Sequence, residues 1–243
     1  SSDGRYIVAR NHDNKVYFIP RNSIEFEWEF LANSDIFYYA DVSSSGKYTV
    51  SGTIDDNKIY LFDKAYHDPV WTYEADGAVS AVSISFDEEY IVAGSYGDTI
   101  YLFNRDSNNP IWTYSAGGNI HDASISHDGE YIVVASEDYK IYVFDKDSNT
   151  PIWTYETDNQ VHSVDISSDG SYIVAGSADS KVYLFEIDSN APLWSYTAGD
   201  TVLSVSISSN GEFIGAGSGD DKIYFFDQDS NSPLWTYSAN DII

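Results

Sequence analysis

The six tryptophans of this chain recur at a nearly fixed interval. They are Trp28, Trp71, Trp112, Trp153, Trp194 and Trp235. The first interval is 43 residues long, and each of the following four is 41 residues long. A period of about 40 residues is typical of supersecondary units that stack on one another, because none of them buries its own apolar face alone. The sequence therefore predicts six repeats in a single domain, spanning residues 1–42, 43–84, 85–125, 126–166, 167–207 and 208–243.

The repeat over residues 167–207 shows what one unit contains. β-Forming residues fill four short segments, at 172–177, 181–185, 193–196 and 202–207. Turn residues separate these segments, and the Asp169-Gly170 pair that precedes the first of them favours a tight hairpin. No segment of the chain has the period of about 3.6 residues that marks an amphipathic helix. The sequence predicts an all-β fold, a β-propeller of four-stranded antiparallel blades.

The number of blades follows from the number of repeats. Six repeats predict a six-bladed propeller, and a fragment of a seven- or eight-bladed ring is the alternative. Ile243 lies in register with Val202, where the fourth strand segment of a repeat begins. We therefore expect the C-terminal residues to complete the blade that the N-terminal residues begin. The chain contains no Met, even at position 1, which indicates a mature form or an excised domain.

Two halves of the repeat resemble known propeller families. The stretch over residues 175–186, with its Ser-x-Asp turn at 177–179, resembles the central strands of WD40 repeats, and Phe-Asp stands at 144–145 where that family has Trp-Asp. An Asp eight residues before a Trp, as with Asp145 and Trp153, is similar to the tryptophan-docking pattern of PQQ-type repeats. The resemblance covers nearly the whole chain and implies a WD40/PQQ-like β-propeller.

The same resemblance has limits that bear on cofactors. WD40 repeats usually carry a Gly-His pair, and this sequence has no such dipeptide. Quinoprotein dehydrogenases are eight-bladed and use a vicinal Cys pair, whereas this chain has no Cys. We therefore expect no cofactor, and neither PQQ nor redox chemistry is inferred from the resemblance.

The charge of the chain excludes some classes of partner. There are 39 acidic residues and 12 basic ones, which gives a formal net charge of −27. Such a surface repels the phosphates of nucleic acids, so nucleic-acid binding is not expected. No apolar run approaches the length of about 20 residues that spans a bilayer, so membrane insertion is not expected either. A solvated acidic surface is the favoured interpretation, with weak divalent-cation binding as a further possibility.

Two histidines break the repeat at one register position. His121 and His162 stand where the neighbouring repeats have Ser80 and Leu203. Two imidazoles at one height on adjacent blades, with Asp122 and Asp165 nearby, form a candidate ligand-binding site. Ordinary polar residues at the start of a strand are the favoured interpretation, and no metal site is expected.

The first repeat diverges from the others and carries a candidate interface. Trp28, Phe37 and Tyr38 lie in an aromatic and acidic stretch of that repeat, and aromatic residues anchor many protein interfaces. Divergence of a closing blade explains the same residues more simply. No Gly-x-Ser-x-Gly motif or phosphate-binding Gly-rich loop occurs, so no catalytic residue is nominated and the chain is not expected to be an enzyme.

The sequence thus predicts a noncatalytic propeller scaffold or interaction module. It is expected to bind a protein, or another ligand, through one face, and to act outside the cell or at the cell surface. The alternative is a cofactor- or metal-binding propeller related to quinoprotein-type enzymes.

Overall fold

The computed structural model describes residues 1, 4–10, 15–23, 25, 28–31 and 37–239. Within these residues the regular secondary structure consists of β-strands, 23 in number, and no helix is present. Accordingly, the described residues contain no helix that is long and apolar enough to cross a membrane. The chain forms two compact units, Ser1–Ser115 and Ala116–Ile243, and each is described by itself.

Unit one contains three antiparallel sheets. Their strands are β1 (Tyr6–Arg10), β2 (Lys15–Pro20), β3 (Trp28–Leu31), β4 (Phe37–Val42), β5 (Tyr48–Thr53), β6 (Lys58–Asp63), β7 (Trp71–Glu74), β8 (Val79–Ile84), β9 (Tyr90–Ser95), β10 (Thr99–Asn104) and β11 (Pro110–Ser115). The first sheet has the order β1-β2-β3, and the next two are the four-stranded sheets β4-β5-β6-β7 and β8-β9-β10-β11. Each strand pairs with the one that follows it in its sheet, so every sheet is a simple meander.

Unit two contains three four-stranded antiparallel sheets. Their strands are β12 (Ile120–Ile125), β13 (Tyr131–Ser136), β14 (Lys140–Asp145), β15 (Trp153–Glu156), β16 (Val161–Ile166), β17 (Tyr172–Ser177), β18 (Lys181–Glu186), β19 (Trp194–Thr197), β20 (Val202–Ile207), β21 (Phe213–Ser218), β22 (Lys222–Asp227) and β23 (Trp235–Ser238). The sheets are β12-β13-β14-β15, β16-β17-β18-β19 and β20-β21-β22-β23. These meanders are propeller blades, which confirms the predicted fold class.

The predicted repeats and the sheets are offset by one strand. The repeat over residues 167–207 contains β17, β18 and β19 but ends with β20, which opens the next sheet. Within each unit, a repeat that ends with the first strand of the next sheet thereby ties two successive sheets together through the chain itself. In the first sheet the described residues supply three strands, and the expected completion of a blade by residues 241–243 lies outside the described residues.

Tight turns and close approaches place glycine where the sequence has it. Gly170, in the turn between β16 and β17, has a φ of 72°, and a Cβ there would lie 2.8 Å from the Tyr131 ring. Gly176, inside β17, would place a Cβ 2.6 Å from Val202, a residue of the next sheet. Any larger residue at these two positions meets a neighbouring sheet, because the sheets pack at short range.

Trp71, Trp153 and Trp194 connect one sheet to the next within their units. The Trp153 indole donates a hydrogen bond of 2.6 Å to the carbonyl of Ile187, and its ring centre lies 5.4 Å from that of Phe185, which is fully buried. Trp194 repeats this with the carbonyl of Gln228, at 2.7 Å. The position of Trp153 and Trp194 between neighbouring sheets explains why this residue recurs at a fixed period.

Candidate functional site

A β-bulge occurs at the same place in each of the five four-stranded sheets that the structure describes. The pairing of the first strand with the second shifts by one residue near its start, for example between Ile120 and Asp122 and between Val161 and Ser163. The extra residues are Tyr38, Ser80, His121, His162 and Leu203. A bulge bends the strand and re-aims the side chain of its unpaired residue. The bulge therefore presents one side chain per sheet on a common backbone frame.

The two histidines meet at their bulges in unit two. The first strands β12 and β16 pack against each other, and the ring centres of His121 and His162 lie 5.2 Å apart with their planes inclined at 53°. Both residues are partly buried. Burial lowers the pKa of each imidazole, and the neighbouring His162 lowers that of His121 further, while Glu137 opposes this shift. Both rings are therefore expected to be neutral at pH 7.

Glu137 is the acidic residue beside the two histidines, and sequence analysis did not select it. Its Oε2 accepts a hydrogen bond of 2.6 Å from Nδ2 of Asn119, and its Oε1 accepts one of 2.9 Å from Nε2 of Gln160. Asn119 directly precedes β12, and Gln160 directly precedes β16, so the carboxylate connects the starts of both first strands. An alignment of the repeats could have identified Glu137. Ala178 and Gly219 occupy the equivalent position after the second strand of the other two sheets, so only this sheet has an acidic residue there.

Asp122 has a different set of contacts from the histidine beside it. Its Oδ2 accepts hydrogen bonds from Oγ of Ser163 and the backbone N–H of Val164, both at 3.0 Å, and its Oδ1 accepts one from the N–H of Ala123. Ser163 and Val164 belong to β16, so this carboxylate joins two sheets. Burial raises the pKa of Asp122 to about 6, although these hydrogen bonds lower it.

Asp165 joins three first strands in series. Its Oδ1 accepts a hydrogen bond of 3.1 Å from Ser124 of β12, and its Oδ2 accepts bonds of 3.1 Å from Ser206 and 3.0 Å from the N–H of Ile207, both in β20. A first strand is the edge of its sheet, and its outward N–H groups need acceptors. Asp122 and Asp165 supply these acceptors, so the structure gives them a packing role between strands. We call the two residues, with these donors, the clamp.

The aspartates of the turns are also engaged. In unit two the turn between the second and third strands carries Asp138, Asp179 or Asp220. Asp179 accepts a hydrogen bond of 2.6 Å from the hydroxyl of Tyr183, and Asp220 accepts one of 2.5 Å from Tyr224. Asp138 is bonded in the same way by the hydroxyl of Tyr142. The recurring tyrosines thus fix the turns, and the carboxylates they reach serve the fold.

A group of three carboxylates lies at the other end of the first sheet of unit two. Oxygens of Glu130, Asp145 and Asp147 lie within 4.8 Å of one another. The ammonium of Lys146 bonds two of these residues, at 3.1 Å to Glu130 and 2.9 Å to Asp147. This lysine supplies the positive charge that the group needs.

The aromatic patch predicted in the first repeat is only partly within the described residues. The backbone of Trp28 lies in β3, and that of Phe37 and Tyr38 lies in β4. The side chains of these three residues lie outside the described part of the chain.

Two protein-family models match the chain. The model described as outer membrane protein assembly factor BamB matches residues 55–175, and the model described as WD domain, G-beta repeat matches residues 190–227. No curated protein matches the chain. The two matches fall on four-stranded meanders of the kind that both families build, and they agree with the Ser-x-Asp turn and the docked tryptophans. The chain is therefore a WD40/PQQ-like β-propeller repeat protein.

Proposed function

We propose that this protein is a noncatalytic interaction module that binds a protein partner through one face of its blades. In unit two that face consists of the bulge residues His121, His162 and Leu203 together with the loops that precede them, residues 116–119, 157–160 and 198–201. We call it the bulge face. The observation that carries the proposal is the pattern of the bulges, in which the backbone is constant and the side chain changes from sheet to sheet.

Variation on a constant frame is what a binding surface of a repeat protein needs. The packing residues recur in every sheet, as Trp153 and Trp194 do, because each interface between sheets requires them. The bulge residue does not have to meet this packing requirement, because it is the extra residue in the register of its two strands. It holds a histidine in two sheets of unit two and Leu203 in the third, where 38% of the residue is exposed.

The charge of the bulge face indicates the chemistry of the partner. Asp200 is exposed in one of its loops, and Asp221 is exposed in the adjoining turn. Asp158 is also exposed and forms an ion pair of 2.8 Å with Lys181. The protein as a whole carries a net charge of −27. A protein segment rich in Lys and Arg is attracted by such a field, and the attraction weakens as salt screens it. We therefore infer a basic partner segment.

The absence of catalysis is part of the proposal and has its own support. Two turn aspartates beside the bulge face are engaged, since Asp179 and Asp220 each accept a hydrogen bond from a tyrosine hydroxyl. Asp122 and Asp165 accept backbone N–H groups of the next strand. A general acid or base has to exchange its proton with a substrate, and a carboxylate held by structural donors is poorly placed to do so.

A location outside the cell or at the cell surface belongs to the same proposal. The acidic surface suits a saline environment, and the family model that matches residues 55–175 is described as an outer membrane protein assembly factor. Partner binding would then take place in that compartment.

The test is selection of peptides from a random display library on the immobilised protein. The variant Asp158→Asn/Asp200→Asn removes two exposed charges from the bulge face. Its matched control, Glu186→Gln/Asp188→Asn, removes two exposed charges at the opposite end of the same middle sheet. We expect basic peptides whose affinity falls about tenfold in the first variant and stays unchanged in the control, since close charge pairs contribute more than about 1 kcal/mol to binding. Equal losses in both variants would show general attraction to an acidic protein and would contradict the proposal.

The second candidate is a cofactor-binding propeller of quinoprotein type, and the match of residues 55–175 to a PQQ-type repeat model is what favours it. It predicts that PQQ with Ca²⁺ raises the unfolding midpoint beyond the effect of NaCl at matched ionic strength. The tryptophan fluorescence of the chain reports that midpoint. A rise specific to PQQ would replace the interaction module with this candidate.

A further inference from the structure

The two bulge histidines have the separation that one tetrahedral ion requires. With a metal–nitrogen bond of about 2.0–2.1 Å, a ring nitrogen about 1.1 Å from its ring centre and a tetrahedral angle, two imidazoles on one zinc ion have ring centres about 5.2 Å apart. The ring centres of His121 and His162 are 5.2 Å apart. The rings are inclined at 53° to each other, so they are not stacked face to face.

The frame that holds the rings is rigid. Each histidine stands directly after a fully buried residue, Ile120 or Val161. The strands that carry them are clamped to each other by Asp122, through Ser163 and Val164. A ligand pair held by such a frame loses little conformational freedom when an ion binds, which favours affinity.

Glu137 supplies the negative charge beside the pair. Its carboxylate is close enough to oppose the lowering of the His121 pKa, and it is held by the amides of Asn119 and Gln160. Each carboxylate oxygen has two lone pairs, so one amide bond on each leaves capacity for a water or an ion. A carboxylate beside the pair attracts a bound cation through its charge.

The chemistry of the two imidazoles determines which ions they select. Imidazole nitrogen selects Zn²⁺, Cu²⁺ and Ni²⁺ over Ca²⁺ and Mg²⁺, which take oxygen ligands.

We propose that His121 and His162 form a binding site for a divalent transition-metal ion, Zn²⁺ in the first instance, with Glu137 neutralising its charge and water filling the remaining positions. This site goes beyond the sequence analysis, which expected no metal, and it replaces Asp122 and Asp165 by Glu137 as the acidic group. It does not rest on the proposed protein partner, because the ion binds to the chain alone.

The experiment is calorimetric titration of the protein with Zn²⁺ in the presence of excess Ca²⁺, which occupies nonspecific carboxylate sites. We expect one Zn²⁺ per chain. His121→Asn and His162→Asn should each weaken binding by about a hundredfold, and Glu137→Gln by about tenfold. His67→Ala is the matched control, since His67 is exposed beside Asp68 in unit one, and it should bind as the parent protein does.

Titration with Co²⁺ gives a second measurement that is independent of affinity. Cobalt in a tetrahedral site produces strong visible absorption bands, and we expect these in the parent protein and in His67→Ala but not in His162→Asn. An unfolding curve for each variant shows whether it retains the fold, and His162→Gln replaces any variant that does not. Zinc binding that is unchanged in the His121→Asn/His162→Asn double variant, or the absence of saturable binding in the parent protein, would overturn the proposal.

Discussion

The clamp and the bulge face lie side by side on the same strands and behave in opposite ways. In β12, Asp122 and His121 are consecutive residues. The aspartate lies on the ladder of its sheet and accepts hydrogen bonds from the next sheet, whereas the histidine is the extra residue of the bulge. In unit one, Asp41 makes the clamp contacts to Ser83 and Ile84, at 3.3 and 3.0 Å. The clamp therefore recurs in both units.

This contrast indicates which positions of the fold tolerate substitution. The clamp position of Asp165 is occupied by Asp or Ser in all five four-stranded sheets. Asp41 and Asp165 accept edge N–H groups there. The serines at this position donate their hydroxyls to these carboxylates, and they are Ser83, Ser124 and Ser206. The bulge residue serves no ladder, so Ser, His and Leu all occupy it. Stability is thus expected to depend on the clamp, and binding is expected to depend on the bulge face.

The largest expected effect is that of removing a clamp carboxylate. Asp165→Ala leaves the buried N–H groups of Ile166 and Ile207 without their acceptor and breaks the bonds to Ser124 and Ser206. Each buried donor that loses its partner costs about 1–3 kcal/mol, so we expect unfolding in denaturant to show a loss of about 4 kcal/mol.

His162→Ala is the bulge control for this substitution, three residues away on the same strand. It removes a partly buried ring but no acceptor of a backbone N–H group. We therefore expect the free energy of unfolding to fall by about 1 kcal/mol or less. Equal losses in the two variants would remove the distinction between clamp and bulge.

A change of pH is expected to have a smaller effect on stability. The sign of that effect differs between the clamp residue Asp122 and the two bulge histidines. The pKa of Asp122 rises from 3.8 to about 6 on folding, so the folded state binds its proton more tightly. Its contribution to stability is fully present below pH 3.8 and is lost as the pH rises through about 6, a change of about 2–3 kcal/mol. The pKa of each bulge histidine is lowered from 6.5, so their contribution is lost as the pH falls below 6.5.

Denaturation curves between pH 4 and about 7 separate the two contributions. In Asp122→Asn we expect stability relative to the parent protein to improve as the pH rises, because the cost of ionising the buried carboxyl is gone. In His121→Asn we expect the relative stability to improve as the pH falls, because a buried imidazole no longer resists protonation. Identical pH dependence in both variants and the parent would show that neither residue titrates on folding.

The strands of this protein were predictable from sequence, and the reason is repetition. The segments predicted at 172–177 and 202–207 are β17 and β20 as the structure has them, and the Asp169-Gly170 pair forms the expected turn. Tryptophan at a fixed period predicted repeats that stack on one another, and the hydrogen bond from Trp153 to Ile187 joins two neighbouring sheets. Each of these signals is local and recurs in several copies.

The geometry of the candidate site was not predictable in the same way. A bulge adds one residue to a strand and changes which side chains share a face, and no residue type in β12 or β16 marks it. For that reason Asp122 and Asp165 were grouped with the histidines, although their carboxylates bond the neighbouring strands. Glu137 stands 16 residues after His121 in the chain and comes close only because β12 pairs with β13.

The smallest expected losses of stability are those of two substitutions, one at a residue that fixes a turn and one at an exposed bulge residue. Tyr183→Phe removes the hydroxyl that donates to Asp179 at 2.6 Å, and we expect a loss of about 1 kcal/mol, the usual contribution of one hydrogen bond. Leu203→Ser changes a bulge residue that is 38% exposed, and we expect less than about 0.5 kcal/mol, as for most surface substitutions. Peptide affinity should respond in the reverse order, with a loss in Leu203→Ser and none in Tyr183→Phe. If Leu203→Ser is stable and binds peptide as the parent protein does, the binding surface is confined to the histidine bulges. If Leu203→Ser is strongly destabilised, the bulge residue contributes to the stability of the fold.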